Sequence, residues 1–178
     1  MKLSLFHPAN TDEVIKLFTD VFTASEGELE GQNLGNLVSN LIIQSKPQDL
    51  IGCVATDMGC VVGCIFFSRF TVPSGQVAFI LSPVAVSTNA QKTGIGQQLI
   101  NYGLDHLRSL KVNLVFTYGN PTYYSKMGFK QITTNIVNAP FPLSQPMGWL
   151  AQALDGQPIQ VMQGATQCVE ALNDPKYW

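Results

Sequence analysis

Charge is scarce in this chain. Only 12% of its 178 residues are Asp, Glu, Lys or Arg, and 10 bases against 12 acids leave a net charge of −2. Binding a nucleic acid through its phosphates takes a basic face, and no such footprint is present. Histidine is nearly absent: His7 and His106 stand alone, without the neighbours a zinc or nucleophile site requires, and both are expected on the surface or at a helix edge. The four cysteines, Cys53, Cys60, Cys64 and Cys168, form no CxxC pair, and three lie in strand-like runs. They are expected to be small buried hydrophobes, with no metal site. Long apolar runs are missing as well. The longest, such as "VAFILSPVAV", are strand-sized, and the N-terminal "MKLSLFHPANTDEV" loses its apolar character at His7 and Pro8, too early for a signal peptide. A soluble, cytoplasmic protein without a membrane partner is expected. No repeat divides it, so a single domain over residues 1–178 is expected, with a core to about residue 155 and an extension over 156–178.

What is plentiful is apolar surface, 46% of the residues, and it is patterned. Val14, Leu17, Phe18, Val21 and Phe22 recur at helical spacing after the capping candidates Asn10 and Thr11. The acidic, glycine-rich "SEGELEGQNLG" then reads as a flexible joint before a second helix in "NLVSNLIIQ". From about residue 50 three strands follow in hairpin succession: "LIGCVATD", "CVVGCIFFSRFTV" and "QVAFILSPVAV". Ile95, Leu99, Ile100, Leu104 and Leu107 make one apolar stripe on a helix that covers the sheet. "NLVFTYG" is a buried strand, parallel to the one ending at Val86 because a helix separates them. "NPTYYSKMGF" is a very short helix with Asn120 as N-cap, Pro121 at its first position and Gly128 just past its end. "FKQITT" and "GWLAQALDG" read as a last pair of strands, and the tail from Gln157 to Trp178 carries no clear pattern.

The stretch "AQKTGIGQQL" places two glycines one residue apart where the striped helix begins. Amides at a helix start are unpaired and sit at the positive end of the helix dipole, so an anion is stabilised there. A Walker A loop requires GxxxxGK[ST], which is absent. A dinucleotide fingerprint requires a third glycine where Leu99 stands, and a strand running straight into the first, where "STNAQKT" intervenes. The pattern left is [QR]xxGx[GA], met as Gln91, Lys92, Thr93, Gly94, Ile95 and Gly96. It resembles the pyrophosphate loop of the GNAT (GCN5-related) N-acetyltransferase superfamily. The order of elements over about residues 1 to 155 is similar to that family's, and "YYSKMGF" resembles its YxxxGF segment. The likeness extends to a bacterial subgroup with GxPxYYxxxGF, here Gly119 to Phe129, and a "PFP" segment, here Pro140, Phe141 and Pro142.

The resemblance implies a mixed αβ, α+β fold: a mostly antiparallel twisted sheet splayed between its fourth and fifth strands, with helices on both faces. It implies acetyl-CoA as co-substrate. Pro83 cannot donate to a ladder, so a bulge at Ser82 and Pro83 would open the sheet. By family likeness, backbone groups of Val84, Ala85 and Val86 would then pair with the pantetheine arm, and amides of residues 92 to 97, Gln97 included, would take the pyrophosphate. Gln91 would shape the loop, and Lys92 either meets a CoA phosphate or is solvated. Asn120 either reaches the pantetheine or serves as helix cap. Tyr124, four residues before Gly128, matches the family's general acid, which protonates the departing thiolate. Tyr123 is about 100° away around the helix and cannot share that task, so it is placed with the cofactor-binding residues.

A general base is not legible, because "VAFILSPVAV" has no carboxylate. Glu26, Glu28 and Glu30 in the expected joint, with Ser82, are candidates on the acceptor side. The implied activity is acetyl transfer to a primary amine; the alternative is an acyl-CoA-binding module without turnover. The tail ending in Tyr177 and Trp178 offers an apolar surface for a second subunit, as in a homodimer.

Overall fold

The computed structural model describes all residues from Met1 to Trp178. In chain order the strands are β1 (Lys2–Leu5), β2 (Leu50–Asp57), β3 (Cys60–Thr71), β4 (Val77–Val86), β5 (Leu114–Tyr118), β6 (Lys130–Gln131), β7 (Trp149–Ala153) and β8 (Gln167–Cys168). The helices are α1 (Thr11–Glu26), α2 (Glu28–Gln44), α3 (Ile95–Ser109) and α4 (Pro121–Tyr124). The sheet order is β1-β2-β3-β4-β5-β7-β6, with β8 added on β3. No helix is long and apolar enough to cross a membrane. Two compact units are present, Met1–Phe67 with Pro83–Gly103, and Ser68–Ser82 with Leu104–Trp178.

In the first unit the apolar spacing anticipated for α1 is what the helix buries: Val14, Leu17, Phe18 and Val21 face inward. Neighbouring residues of a strand point to opposite faces, and on β3 this sorts the helices. Phe66 packs its ring 6.2 Å from that of Phe18 on α1. Phe67 points the other way, onto α3, where it touches the spot a side chain on Gly103 would fill. Helices therefore cover both faces, as expected. Leu99 and Ile100 of the α3 stripe are fully buried.

The joint between α1 and α2 corrects the sequence expectation. It is not a flexible loop but one residue, Gly27, at a φ of 100° that side chains rarely adopt. Glu26 ends α1, whereas Glu28 and Glu30 lie in the first turn of α2, where the helix dipole favours acids. Strand β1 is a second addition: "KLSL" pairs antiparallel with β2 from Lys2↔Thr56 to Leu5↔Cys53. Cysteine burial divides. Cys53 and Cys64 are buried as expected, but Cys60 is exposed where β3 leaves its turn, and Cys168 is half-buried on the two-residue β8.

In the second unit β5 is central. It runs parallel to β4 from Ala78↔Leu114 to Leu81↔Thr117, and antiparallel to β7 from Leu114↔Ala153 to Tyr118↔Trp149. Its apolar run is buried throughout, as a strand paired on both sides demands. The core beside it is aromatic: Phe116 lies 4.9 Å from Phe70 and 5.4 Å from Trp149, centroid to centroid. The tail, which carried no pattern, folds back here. Phe70↔Cys168 and Thr71↔Gln167 join β8 to β3. Trp178 is 7% exposed, its indole N–H donates to the Leu172 carbonyl, and its ring lies 6.1 Å from Trp149. The Trp178 ring is thus covered by its own chain.

Candidate functional site

The first unit carries the loop. Along the end of β4 burial alternates, with Pro83 and Ala85 buried and Val84 and Val86 half-buried, while Ser82 just before them is half-buried too. After β4 the chain makes a short 3-10 turn over Thr88–Ala90 and enters the glycine segment. Gln91 ties it to the strand: its Nε2 donates to the Val86 carbonyl at 3.1 Å. The Thr93 hydroxyl donates to the Ala90 carbonyl at 2.6 Å. Lys92 and Gly94 both take left-handed backbone angles, φ 63° and 87°. Gly94 can do so freely, and Lys92 at some cost.

The first helical bond of α3 runs from Gln98 N–H to the Gly94 carbonyl at 3.0 Å. The amides of Ile95, Gly96 and Gln97 come ahead of it and have no carbonyl to meet within the helix. Three unpaired donors and the helix dipole point the same way, which is a receptor for an anion with several oxygens. Lys92, exposed beside them, adds a positive charge. The acidic candidates lie elsewhere on this unit: Glu28 accepts from Gln32 and Glu30 from Asn33, each at 3.3 Å, and both carboxylates are held on the surface of α2.

The second unit carries the tyrosines. Asn120 caps α4, its Oδ1 accepting from the Thr122 amide at 2.9 Å, and Pro121 occupies the first helical position. The cap uses only the oxygen, so Nδ2 remains a donor. Gly128 closes the following turn in the left-handed region. The rings of Tyr123 and Tyr124 are nearly perpendicular, at 82° with centroids 5.1 Å apart, so the two side chains face different surroundings as the helical spacing required. Tyr124 rests edge-on against Phe129 at 5.8 Å. Beside this helix lies a cleft of about 670 Å³ whose wall includes Tyr118, Asn120, Thr122, Ser144 and Gln145. Tyr118 braces it: its hydroxyl pairs with Ser144 Oγ at 2.9 Å and accepts from the Gln145 amide at 2.7 Å. This bracing was not legible in the sequence, since the partners are more than twenty residues apart.

Burial pushes the Tyr124 phenol up to about 12; a hydrogen bond with the Thr117 side chain pulls the other way, and Tyr123 adds a smaller upward push. Tyr123 is raised as well, by burial. Desolvation likewise lifts Cys53 to about 12 and Cys168 to about 11. Each of these groups holds its proton more tightly folded than unfolded. Their contribution to stability is therefore complete below the unfolded values, 9.0 for the thiols and 10.0 for the phenol, and is lost as pH rises through the folded ones. The urea midpoint is expected to fall progressively between about pH 9 and pH 12, with no pH dependence from these groups below that window. A flat midpoint across it would contradict the burial of these side chains.

Comparison with known proteins places these features in context. The sequence pattern of the acetyltransferase (GNAT) domain matches residues 48–131. An uncharacterized N-acetyltransferase of Escherichia coli K12, YjhQ, is 30% identical over 141 residues, 76% of this chain and 77% of that protein. Among solved structures, the GNAT family N-acetyltransferase YhbS of Escherichia coli, in complex with CoA, superposes with a TM-score of 0.79 at 24% identity, over 97% of this chain and 92% of that one. A GNAT family acetyltransferase of Brucella melitensis, in complex with acetyl-CoA, gives 0.74 at 23% identity, over 96% and 98%.

Proposed function

Because the chain belongs to the GNAT acetyltransferase family, we propose that it transfers an acetyl group from acetyl-CoA directly to a primary amine. The observation that carries this reading is the start of α3, where the Ile95, Gly96 and Gln97 amides are unpaired behind the left-handed Gly94. That set of donors fits a diphosphate. Thr93 and Gly94 hold its shape, Lys92 supplies a countercharge and Gln91 ties the loop to Val86. Backbone groups of Val84, Ala85 and Val86 pair with the amides of the pantetheine arm, and the free Nδ2 of Asn120 donates to the same arm. Tyr123 packs along it.

In the reaction the neutral amine attacks the acetyl carbonyl carbon and the carbon–sulfur bond breaks. The thiolate takes a proton from Tyr124, and the proton lost by the amine returns to Tyr124 through solvent. A phenol at about 12 is protonated throughout the neutral range, so Tyr124 is always ready to donate. The backbone amide near Val84 stabilises the oxyanion. Glu26, Glu28 and Glu30, with Ser82, favour a cationic acceptor by their charge and polarity.

A second reading, acyl-CoA binding without turnover, is favoured by one fact: β4 carries no carboxylate to act as base. Release of CoA thiol over a panel of polyamines, aminoglycosides and peptides separates the two. Turnover above the rate of acetyl-CoA hydrolysis supports the transferase, and binding with no turnover supports the sensor. Thermal protection tests the loop itself, because a ligand stabilises the state it binds: acetyl-CoA is expected to raise the melting temperature and NAD is not. Gly94→Ala forces a side chain into φ 87°, at a cost of about 1–2 kcal/mol or a shift of the loop. The expected result is acetyl-CoA affinity about tenfold weaker, with the melting temperature of the free protein lowered by no more than about 2–8 °C. Unchanged affinity would remove the loop from the binding site.

A further inference from the structure

No charged side chain lines the cleft of about 670 Å³ beside α4. Its polar side chains are the hydroxyls and carboxamides of Tyr118, Asn120, Thr122, Ser144 and Gln145. Such groups both donate and accept, so they match a ligand rich in hydroxyls, whereas a charge placed among them would have no countercharge. Gly119 belongs to the same wall and keeps it thin at one place. A Cβ there would come within 2.7 Å of Cε2 and 3.6 Å of Cζ of Tyr124, the ring carbons at its hydroxyl end.

The Ser144–Gln145 side of the cleft hangs on one oxygen. The Tyr118 hydroxyl pairs with Ser144 Oγ at 2.9 Å and accepts from the Gln145 amide at 2.7 Å. The Tyr118 ring in turn stacks along Trp178, with planes 16° and centroids 6.4 Å apart. Trp178 also meets Phe141, which shortly precedes Ser144, at 6.5 Å. It is itself fixed by its indole N–H on the Leu172 carbonyl and by the ring of Trp149. Trp178 does not line the cleft but supports Tyr118, which does.

We propose that this cleft receives the hydroxyl-bearing body of the acceptor, an amino sugar or aminopolyol, with the Tyr118 hydroxyl setting that preference and Trp178 acting as a positioning residue for Tyr118. This rests on the acetyl-transfer reading above. The acceptor carries one ammonium, the reacting amine, on a neutral body. Asn120, given above to the pantetheine arm, and Gly119 beside Tyr124 share the wall, so a body held here lies next to the reacting groups. Suspending Ser144 and Gln145 from one oxygen fixes where the hydroxyls of the body find partners. A site built to exchange hydrogen bonds with hydroxyls rejects an analogue that lacks them, because its own groups lose water and gain nothing. The stacked Trp178 ring limits the tilt of Tyr118, and with it the place of that oxygen.

The test reads thiol release from acetyl-CoA with D-glucosamine and with cyclohexylamine, rings of like size with and without hydroxyls, each rate referred to the unprotonated amine. Wild-type kcat/KM is expected to favour glucosamine by about tenfold or more. Tyr118→Phe keeps the ring and is expected to raise KM for glucosamine about tenfold, with kcat and the KM for acetyl-CoA within about twofold of wild type. Trp178→Leu is expected to raise the same KM about fivefold, Trp178→Phe to restore it to within about twofold, and Trp178→Leu to add nothing in the Tyr118→Phe background. Equal use of the two amines, or turnover of other amines but not of glucosamine, would overturn the inference and leave the transferase standing. A rise in the acetyl-CoA KM of Tyr118→Phe would do the same, by giving the cleft to the carrier. A full loss from Trp178→Leu in the Tyr118→Phe background, or an unfolded Trp178→Leu protein, would overturn the positioning role. Acetyl-CoA binding with no thiol release to any amine would overturn the transferase reading, and this inference with it.

Discussion

Replacing Tyr124 by phenylalanine is expected to lower kcat about a hundredfold, the lower end of what a general acid contributes, while the affinity for acetyl-CoA stays within about twofold. The modest size follows from burial. A phenol held at about 12 is roughly 3.5 units less acidic than an ordinary thiol, so handing over its proton fully in the ground state costs about 5 kcal/mol. In the proposed reaction Tyr124 would therefore act when the sulfur becomes basic, as the carbon–sulfur bond lengthens, where its hydrogen bond would be worth more than in the bound substrate. The ring is retained in the variant, so its contacts with Gly119 and Phe129 persist and the fold is left intact. Steady-state kinetics and calorimetric titration separate the two quantities. A variant with wild-type kcat would mean that the thiolate is protonated by another group.

The largest effect on stability is expected from Trp149→Ala. Trp149 is fully buried, lies within 6.1 Å of the rings of Phe70, Phe116 and Trp178, and donates its indole N–H to the Val137 carbonyl at 2.9 Å. Truncation removes a large apolar contact and leaves a cavity, about 3–5 kcal/mol. The stranded Val137 carbonyl adds about 1 kcal/mol. Set against a total stability of about 5–15 kcal/mol, this brings the domain close to unfolding at moderate temperature. Trp149→Phe keeps most of the contact and is expected to cost about 1–2 kcal/mol, chiefly the lost hydrogen bond. Urea titration followed by circular dichroism measures both, and an unshifted midpoint in the alanine variant would show that this cluster does not hold the second unit together.

Features written in short-range chemistry were legible. Asn120, Pro121 and Gly128 punctuate α4 as expected, because caps and turns depend on residues within one turn of each other. The α3 stripe and the strand at "NLVFTYG" were equally plain from periodicity. The α1–α2 joint was misjudged because "EGELEG" has the composition of a loop, yet Gly27 alone absorbs the turn and the glutamates settle on the dipole of α2. The tail was opaque for a different reason: Phe70↔Cys168 and Trp149 against Trp178 join residues far apart in the chain, and no local pattern records such a pairing. At the site, Tyr124 was singled out by the likeness of "YYSKMGF" to the family's YxxxGF segment.

The Gln91 and Thr93 side chains pin the glycine segment to carbonyls of its own chain, and Lys92 and Gly94 already hold their unusual angles. A receptor assembled beforehand spends little conformational entropy on its guest. Capture of the carrier should accordingly show a small ordering penalty in calorimetry, and the unpaired amides of Ile95, Gly96 and Gln97 should exchange quickly in the empty protein and slow when the carrier is added.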